Sequence, residues 1–332
     1  MARTKRADLL QKPVIGVDVG GTKILASVVM PTGEILSRYK KKTQSKKSDS
    51  DVLSRIFDCI HGAADEAEMP LDAMAAVGIG APGALNPVTG VIHLAPNLGW
   101  KNMPLKQILE DRLALPVFLN NDVNVGVIGE HRMGSGVGME NIFGMFIGTG
   151  IGGGLILDDR LYQGSHFMAG EVGHIPVVEN GPLCGCGRRG CLEAVAGRLG
   201  IVRQIEALVR KGRKSSLMDE AKGDIAKVKS RMLSKAWQNG DPVATKVLKS
   251  AAGYIGRAVA TVVSILNPDA VILGGGIIEA LDERFVNLIR KSAAAHAFPA
   301  MIEDTKILPA ILGDDAVTVG AAFLARDQML KK

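Results

Sequence analysis

The stretch PVIGVDVGGTKILASVV, residues 13–29, consists of two apolar runs on either side of Gly20 and Gly21. Short apolar runs separated by glycines predict two β-strands joined by a tight turn, in which glycine takes the positive φ angles. After the glycine-rich residues 134–138, a second pair of apolar runs surrounds a glycine turn in IFGMFIGTGIGGGLILDDRLYQG, residues 142–164. The repetition indicates a duplicated unit.

Helical patterns alternate with apolar runs along the rest of the chain. We expect helices over residues 51–68, 104–113, 123–133, 193–209, 241–266 and 316–329, and strands in AAVGIGAPG, PVFLNND, AVILGGGI and near KILPAIL. Strands that alternate with helices favour an α/β sheet. Two similar α/β lobes with a cleft between them are the simplest architecture.

The composition is that of an ordinary folded protein and limits the classes of partner. Of 332 residues, 47% are hydrophobic and 22% are charged, unlike disordered chains. Residues 1–18 contain no signal-peptide core, and no run approaches the about 18 apolar residues of a membrane span, so we expect a cytoplasmic protein with no membrane partner. The net charge of +6 comes largely from residues 38–47 and 210–235. Such runs are usually solvated surface, and aromatic residues are only 4%, so no nucleic-acid partner is expected.

Three glycine clusters follow apolar runs: DVGGTK at residues 18–23, GTGIGGG at residues 148–154 and GGG at residues 274–276. A glycine turn exposes backbone N–H groups with no Cβ in the way, so a phosphate can approach closely. Each cluster alone fits a tight turn or close strand packing equally well. No GxxxxGK[ST] run is present, and the second cluster lies between two predicted strands, so neither a P-loop nor a Rossmann fingerprint fits.

Several polar side chains lie outside the apolar pattern. Asp122 ends LNND where a helix should begin, so it either caps that helix or accepts a proton from an attacking hydroxyl. The helix N-terminus would keep it ionised and weakly basic, which suffices for phosphoryl transfer. Asn97, Glu171, His174 and Glu193 offer amide, carboxylate and imidazole groups that suit sugar hydroxyls. Taken singly, each also fits a surface or capping position.

The glycine hairpins resemble the phosphate-gripping turns of the actin-like ATPase and sugar-kinase fold, which is ribonuclease H-like. Over nearly its whole length the chain resembles the ROK family of bacterial sugar kinases and sugar-responsive repressors. The motifs that carry the resemblance are DVGGTK, GAPG, APNLGW, NNDVN, GTGIGGG, AGEVGH, CGCGRRGCLE and ILGGG. It implies a two-lobed α/β fold with a cleft, made of a small lobe, residues 1–128 plus 315–332, and a larger lobe, residues 129–314.

The resemblance also implies ATP-dependent phosphorylation of a hexose at its 6-hydroxyl, with Asp122 as the base and Mg²⁺ near Asp18. The implied sugar contacts are Gly83, Asn97, Asn121, Asp122, Glu171, His174 and Glu193. The implied ATP contacts are Asp18, Gly20, Gly21, Thr22, Lys23, Thr149, Gly150, Gly152, Gly275 and Gly276. A homo-dimer or homo-tetramer is implied as well.

Within the family, APNLGW and EVGH most resemble the glucokinase branch. The chain departs from common family usage at Val123, Val125, Val127 and SHFM (residues 165–168), where His166 and Phe167 could reshape the sugar site. Kinases for mannose, fructose or N-acetyl amino sugars therefore stay open, as does polyphosphate in place of ATP. A non-catalytic sugar-sensing regulator is the competing class. Only thirteen residues precede the first strand, too few for a helix-turn-helix domain, so we expect a kinase.

The cysteines are the last feature to assign. Cys184, Cys186 and Cys191 are odd in number and no export signal is present, which disfavours disulfides, and a redox pair would more naturally be CxxC. With His174, they predict a closed Cys₃His zinc site of structural type, in which one ring nitrogen binds metal and the other faces a sugar hydroxyl. Buried or free thiols are the alternative. We expect Cys59 to be an ordinary core residue.

Overall fold

The computed structural model describes residues 11–44, 49–224 and 227–331. Residues 1–10, searched above for a signal peptide, lie outside the described residues, as do residues 45–47 and 225–226 of the two basic runs. The chain divides into two compact units. The first comprises Met1–Gly138, Arg160–Ala169 and Asp314–Lys332, and the second comprises Met139–Asp159 and Gly170–Gly313.

The first unit combines a central sheet, a small antiparallel sheet and covering helices. Its strands are β1 (Val14–Val19), β2 (Lys23–Val29), β3 (Ile35–Lys42), β4 (Val77–Ala81), β5 (Ala84–Asn86), β6 (Val91–Ala95), β7 (Trp100–Met103), β8 (Val117–Asn121) and β11 (Arg160–Tyr162). Its helices are α1 (Asp49–Glu66), α2 (Leu105–Leu113), α3 (Asp122–Met133) and α12 (Ala316–Lys331). Cys59 on α1 is fully buried in the core, as predicted.

The central sheet of the first unit has the strand order β3-β2-β1-β4-β8. β1 and β2 pair antiparallel along their whole lengths, which confirms the predicted hairpin. β4 lies parallel to β1 and to β8, so the carboxyl ends of these three strands meet at one edge. Helix α12 packs directly on the sheet. Its carbonyl oxygens lie so close to Gly16 and Gly78 that a Cβ at either position would collide with one of them.

The second unit contains a second sheet with strands in the order β10-β9-β12-β13. The strands are β9 (Ile142–Ile147), β10 (Ile151–Leu157), β12 (Ala270–Gly274) and β13 (Lys306–Pro309). The helices are α4 (Leu192–Ala196), α5 (Arg198–Arg210), α6 (Ser216–Glu220), α7 (Ser230–Gln238), α8 (Pro242–Leu266), α9 (Gly276–Ala280), α10 (Glu283–His296) and α11 (Pro299–Asp304). β9 and β10 form the second antiparallel hairpin around a glycine turn, so both predicted hairpins are present.

The predicted single helix over residues 193–209 is wrong. The structure has two helices, α4 and α5, separated by Gly197 with φ −68° and ψ 158°. A Cβ at Gly197 would lie 3.4 Å from Gly150 Cα and 3.4 Å from the Thr149 oxygen. The helical pattern continues through this position, but the chain bends there because the residue packs on the second glycine turn.

Helix α3 runs to Met133 and so crosses the predicted lobe boundary at position 128/129. The first compact unit ends at Gly138, after that helix. No helix in the described part of the chain is both long and apolar enough to cross a membrane.

Candidate active site

The DVGGTK turn connects β1 to β2. The Gly20 N–H donates to the Lys23 oxygen at 2.9 Å, and the Thr43 hydroxyl donates to the Gly20 oxygen at 2.6 Å. The prediction that Gly20 and Gly21 take positive φ angles is wrong, because both have negative-φ backbone. Position 21 is tightly packed instead, since a Cβ there would lie 3.2 Å from the Cβ of Asn97. The turn thus lies against a predicted sugar residue.

Lys23, predicted to contact ATP, forms an ion pair with Asp314, and the Lys40 ammonium lies 3.6 Å from the same carboxylate. The Lys23 hydrogen bond is the main reason why the pKa of Asp314 lies below its usual range. Thr22 is exposed at the tip of the turn. Asp314 was missed by sequence reasoning; the acidic pair in GDD, residues 313–315, was its only signal.

Asp18 and Asp122 come together at the carboxyl edge of the first sheet. The strand register places Asp18 beside Gly80, and Gly80 beside Asn120, two residues before Asp122. The pKa of Asp18 is raised to about 7, mostly by burial and then by the charge of Asp122, while Lys23 opposes the shift. The edge therefore holds two interacting carboxylates, an arrangement that a cation would stabilise.

The helix cap at this edge is Asn121, so the capping interpretation of Asp122 is wrong. The Asn121 Oδ1 accepts hydrogen bonds from the N–H groups of Val123 at 3.0 Å and Asn124 at 3.4 Å. Asp122 is the first residue of α3 and accepts from the Val123 N–H at 2.9 Å. The Asn121 amide also donates to the Gly83 oxygen at 3.5 Å, and Gly83 has φ +94°.

A chain of amides that sequence reasoning missed lies directly behind this cap. Asn120 donates to Gln163 Oε1 at 2.8 Å, and its Oδ1 accepts from the Asn121 N–H at 2.8 Å and from Asn124 Nδ2 at 3.2 Å. Gln163 begins the loop that carries SHFM, in which Phe167 has φ +61°. The unusual SHFM sequence was the only signal for this loop.

In the second unit, the GTGIGGG turn is held by the first residues of α5. The Arg198 N–H donates to the Gly148 oxygen at 3.0 Å, and its guanidinium donates to Thr149 Oγ1 at 3.0 Å. Gly148 N–H closes the turn on the Gly150 oxygen at 2.9 Å. Gly152 lies within β10, opposite Phe146. Arg198 was not predicted, because nothing in its local sequence marks it.

The GGG cluster follows β12 and ends beside the same turn. Gly275 has φ +84° and precedes Gly276, the first residue of α9. A Cβ at Gly275 would lie 2.8 Å from the oxygen of Ile147, the residue before Gly148. The second unit therefore brings four of the predicted ATP contacts to one end of its sheet: Thr149, Gly150, Gly275 and Gly276.

The predicted zinc ligands also come together in the second unit. One ligand atom from each of His174, Cys184, Cys186 and Cys191 lies within 4.8 Å of the others. The Cys186 and Cys191 sulfurs are 3.7 Å apart, and His174 Nδ1 is 3.7 Å from the Cys184 sulfur. Tetrahedral Zn–S bonds of about 2.3 Å place two sulfurs about 3.8 Å apart, so the donor set fits zinc.

Burial and nearby hydrogen bonds shift the pKa values of the three thiols in different directions. Burial raises the pKa of Cys184 to about 12 and also raises the pKa of Cys191. A hydrogen bond from the Arg188 N–H lowers the pKa of Cys186. Neighbouring thiols of this kind hold their protons unless a metal replaces them.

Two glutamates flank the cluster. His174 Nε2 lies 3.8 Å from Glu171 Oε2, so the imidazole faces the cysteines with one nitrogen and a carboxylate with the other. Glu193 Oε2 accepts from the Ile151 N–H at 3.1 Å, and Oε1 accepts from the Cys184 thiol at 3.7 Å. The predicted sugar contacts Glu171 and Glu193 therefore flank the cluster to which His174, the third predicted contact, belongs.

Comparison with known proteins identifies relatives along nearly the whole chain. The model of the ROK family matches residues 14–328. The glucokinase of Halalkalibacterium halodurans is 34% identical over 316 residues, 95% of each protein. A solved ROK family glucokinase from Streptomyces griseus, in complex with glucose and AMPPNP, aligns with a TM-score of 0.82 and 36% identity over 95% of this chain and 99% of that one.

A regulator is also among the relatives. The xylose repressor of Caldicellulosiruptor bescii is 29% identical over 317 residues, which are 96% of this chain and 79% of the repressor.

The fold is the two-domain α/β sugar-kinase fold. The chain belongs to the ROK family.

Proposed function

We propose that the protein transfers the γ-phosphoryl group of ATP to the 6-hydroxyl of a hexose, with glucose as the first candidate. The observation that carries the proposal is the position of Asp122. It stands at the first turn of α3 beside Asp18, while the neighbouring Asn121 caps the helix. The similarity to glucokinases over 95% of the chain supports glucose.

In this proposal Asp122 is the general base. A carboxylate at a helix N-terminus favours its ionised form and is a weak base, and a loose phosphoryl-transfer transition state needs positioning more than strong deprotonation. The sugar hydroxyls would contact Gly83, Asn97, Asn121, Glu171, His174 and Glu193 alongside Asp122.

The phosphoryl donor would contact both glycine turns. The residues proposed for it are Asp18, Gly20, Gly21, Thr22, Lys23, Thr149, Gly150, Gly152, Gly275 and Gly276. Asp18 fits a place beside Mg²⁺, because its pKa of about 7 reflects burial next to Asp122, a situation that a cation relieves. When bound, Mg²⁺ would neutralise charge on the phosphates.

We also propose that His174, Cys184, Cys186 and Cys191 hold one structural Zn²⁺. The close approach of their ligand atoms supports this assignment, and four protein ligands leave no position for a reacting water. The metal would fix Glu171, His174 and Glu193 relative to one another. A homo-dimer or homo-tetramer is part of the proposal and is tested by light scattering on the purified protein.

The decisive experiment is hexose-dependent ADP release by the purified protein, measured with a panel of glucose, mannose, fructose and N-acetyl amino sugars. We expect the highest kcat/KM with glucose. A higher value for another sugar would keep the kinase and change its substrate. Inorganic polyphosphate in place of ATP tests the alternative donor in the same assay.

The second candidate is a sugar-binding regulator, favoured by the similarity to the xylose repressor. It predicts that glucose or xylose binds while no sugar causes ADP release. Calorimetry of sugar binding beside the coupled assay separates the two. Glucose binding without turnover would remove the kinase proposal.

A further inference from the structure

Arg198 is a cation held at the second glycine turn by two hydrogen bonds. Its Nη2 donates to Thr149 Oγ1 at 3.0 Å, and its Nη1 donates to the Val228 oxygen at 2.8 Å. The Val228 carbonyl and the Thr149 hydroxyl fix the plane of the guanidinium. An arginine presents five donors, so others remain for a ligand.

The carbonyl oxygens of Gly148, Thr149 and Gly150 in the same turn all accept backbone hydrogen bonds. The Gly148 oxygen accepts from the Arg198 N–H at 3.0 Å, the Thr149 oxygen from the Leu199 N–H at 3.4 Å, and the Gly150 oxygen from the Gly148 N–H at 2.9 Å. Carbonyl oxygens that faced a ligand would repel an anion. With these three carbonyl oxygens engaged, the exposed Thr149 hydroxyl and the Arg198 guanidinium are polar groups of the turn that can meet a ligand.

The Thr149 hydroxyl contributes to the same surface. Because its oxygen accepts from Arg198, its own proton is directed towards another acceptor. Thr149 is exposed at the turn. The guanidinium and the hydroxyl therefore form a pair of neighbouring donors with a positive charge, a combination that suits the oxygens of a phosphate.

The Glu193 carboxylate lies beside the turn, and its negative charge increases the need for a cation where an anion would bind. Glu193 Oε2 accepts from the N–H of Ile151, the residue after Gly150, and a Cβ at Gly150 would collide with that carboxylate oxygen. An anion bound at the turn would be repelled by Glu193. The guanidinium of Arg198, which is hydrogen-bonded to Thr149, offsets that repulsion.

We propose that Arg198, together with Thr149, binds the phosphoanhydride chain of the phosphoryl donor. The inference rests on the proposed function for the identity of the donor, while the ligand chemistry is shared by a nucleoside triphosphate and by inorganic polyphosphate. Arg198 binds the donor, and its contact with Val228 positions it.

The test compares Arg198→Ala and Arg198→Lys with Arg203→Ala, a control at an exposed arginine on the same helix. Calorimetry on the full chain with Mg²⁺ gives the Kd of AMPPNP, which has the whole phosphate chain, and of AMP, which lacks the outer two phosphates. We expect Arg198→Ala to weaken AMPPNP binding about 10- to 100-fold and AMP binding by less than about twofold. Arg198→Lys should weaken AMPPNP binding less than Arg198→Ala does, because lysine keeps the positive charge but lacks the two parallel N–H donors of the guanidinium.

Equal losses for AMPPNP and AMP, with a lower Tm, would show that Arg198 only tethers Val228 and would overturn the proposal. If Arg198→Ala does not fold, Arg198→Lys and Thr149→Val give the same comparison. A rise in KM for ATP assigns the nucleotide as donor, a rise for polyphosphate alone assigns polyphosphate, and no rise for either refutes the proposal. AMPPNP binding needs no sugar, so dependence on Arg198 in a protein that phosphorylates no hexose would refute only the kinase function.

Discussion

The carboxylate of Glu193 links the Cys/His cluster to the second glycine turn. Its Oε2 accepts a 3.1 Å hydrogen bond from the Ile151 N–H, and its Oε1 accepts from the Cys184 thiol at 3.7 Å. A residue predicted only as a sugar contact therefore also supports the turn that we assign to the phosphoryl donor.

Zinc removal should impair sugar binding more than donor binding. A chelator, or Cys186→Ser at the exposed member of the cluster, should raise KM for glucose about 10-fold or more and KM for ATP less, because Glu171 and His174 depend on the cluster. Coupled assays give both constants, and metal analysis should find one zinc per chain. Leu183→Ala, at an exposed neighbour, is the control. Equal rises in both constants with a lower Tm would indicate global unfolding.

Asp122→Asn should lower kcat about 10²- to 10⁴-fold and leave KM for glucose within a few-fold. Asn121, not Asp122, caps α3, and loss of the Asp122 charge relieves its repulsion with Asp18, so the Tm of the variant should not fall below that of the wild type. The matched variant Asn121→Ala should instead cost about 1 kcal/mol of stability through the lost cap. Near wild-type kcat in Asp122→Asn would exclude it as the base.

Asp18 should make stability fall as pH rises. Its folded pKa is raised to about 7, so the folded state holds the proton more tightly than the unfolded chain. The stabilisation is fully present below about pH 4, the unfolded value, and is lost as pH rises through 7. Asp18→Asn cannot ionise, and at pH 8 it should be more stable than the wild type by about 1 to 3 kcal/mol.

The comparison uses thermal unfolding from pH 5 to pH 8 without added Mg²⁺ or nucleotide, so that no added cation neutralises Asp18. Added Mg²⁺ should reduce the difference at pH 8. Parallel stability curves for the wild type and Asp18→Asn would contradict the raised pKa. Asp111→Asn, at an exposed carboxylate, controls for loss of a charge.

Gly21→Val should raise KM for both substrates. The sequence predicts an effect mainly on ATP, but a Cβ at this position lies 3.2 Å from Asn97 Cβ, so a valine would also displace a proposed sugar residue. Steady-state assays with each substrate varied give the two constants. Gly253→Ala, where a Cβ meets nothing within 4 Å, is the control. Unchanged KM values for both substrates would show that the turn has only a structural role.

The sequence alone was informative where local chemistry decides the structure. Two apolar runs around glycines can form little else than a hairpin, and both hairpins are present. The spacing of His174, Cys184, Cys186 and Cys191 was enough to predict one cluster, because thiols and an imidazole so close in the chain can share a centre. The motifs also identified the family.

Local patterns failed where distant segments decide the outcome. The glycine pair predicts positive φ at Gly21, whereas the structure shows negative φ there and close packing on Asn97, 76 positions away in the sequence. It missed the Gly197 break, because helix propensity does not report packing on Gly150.

The sequence by itself determined the hairpins, the cluster of three cysteines and a histidine, and the family, since each depends on residues close in the chain or on motif order. Only the tertiary structure decided which partner each charged group has. Asp18 gained its raised pKa from burial and from Asp122, Lys23 paired with Asp314, and Arg198 met Thr149. The physical reason is that electrostatic and hydrogen-bond energies depend on distance and burial, which the fold sets and residue order does not.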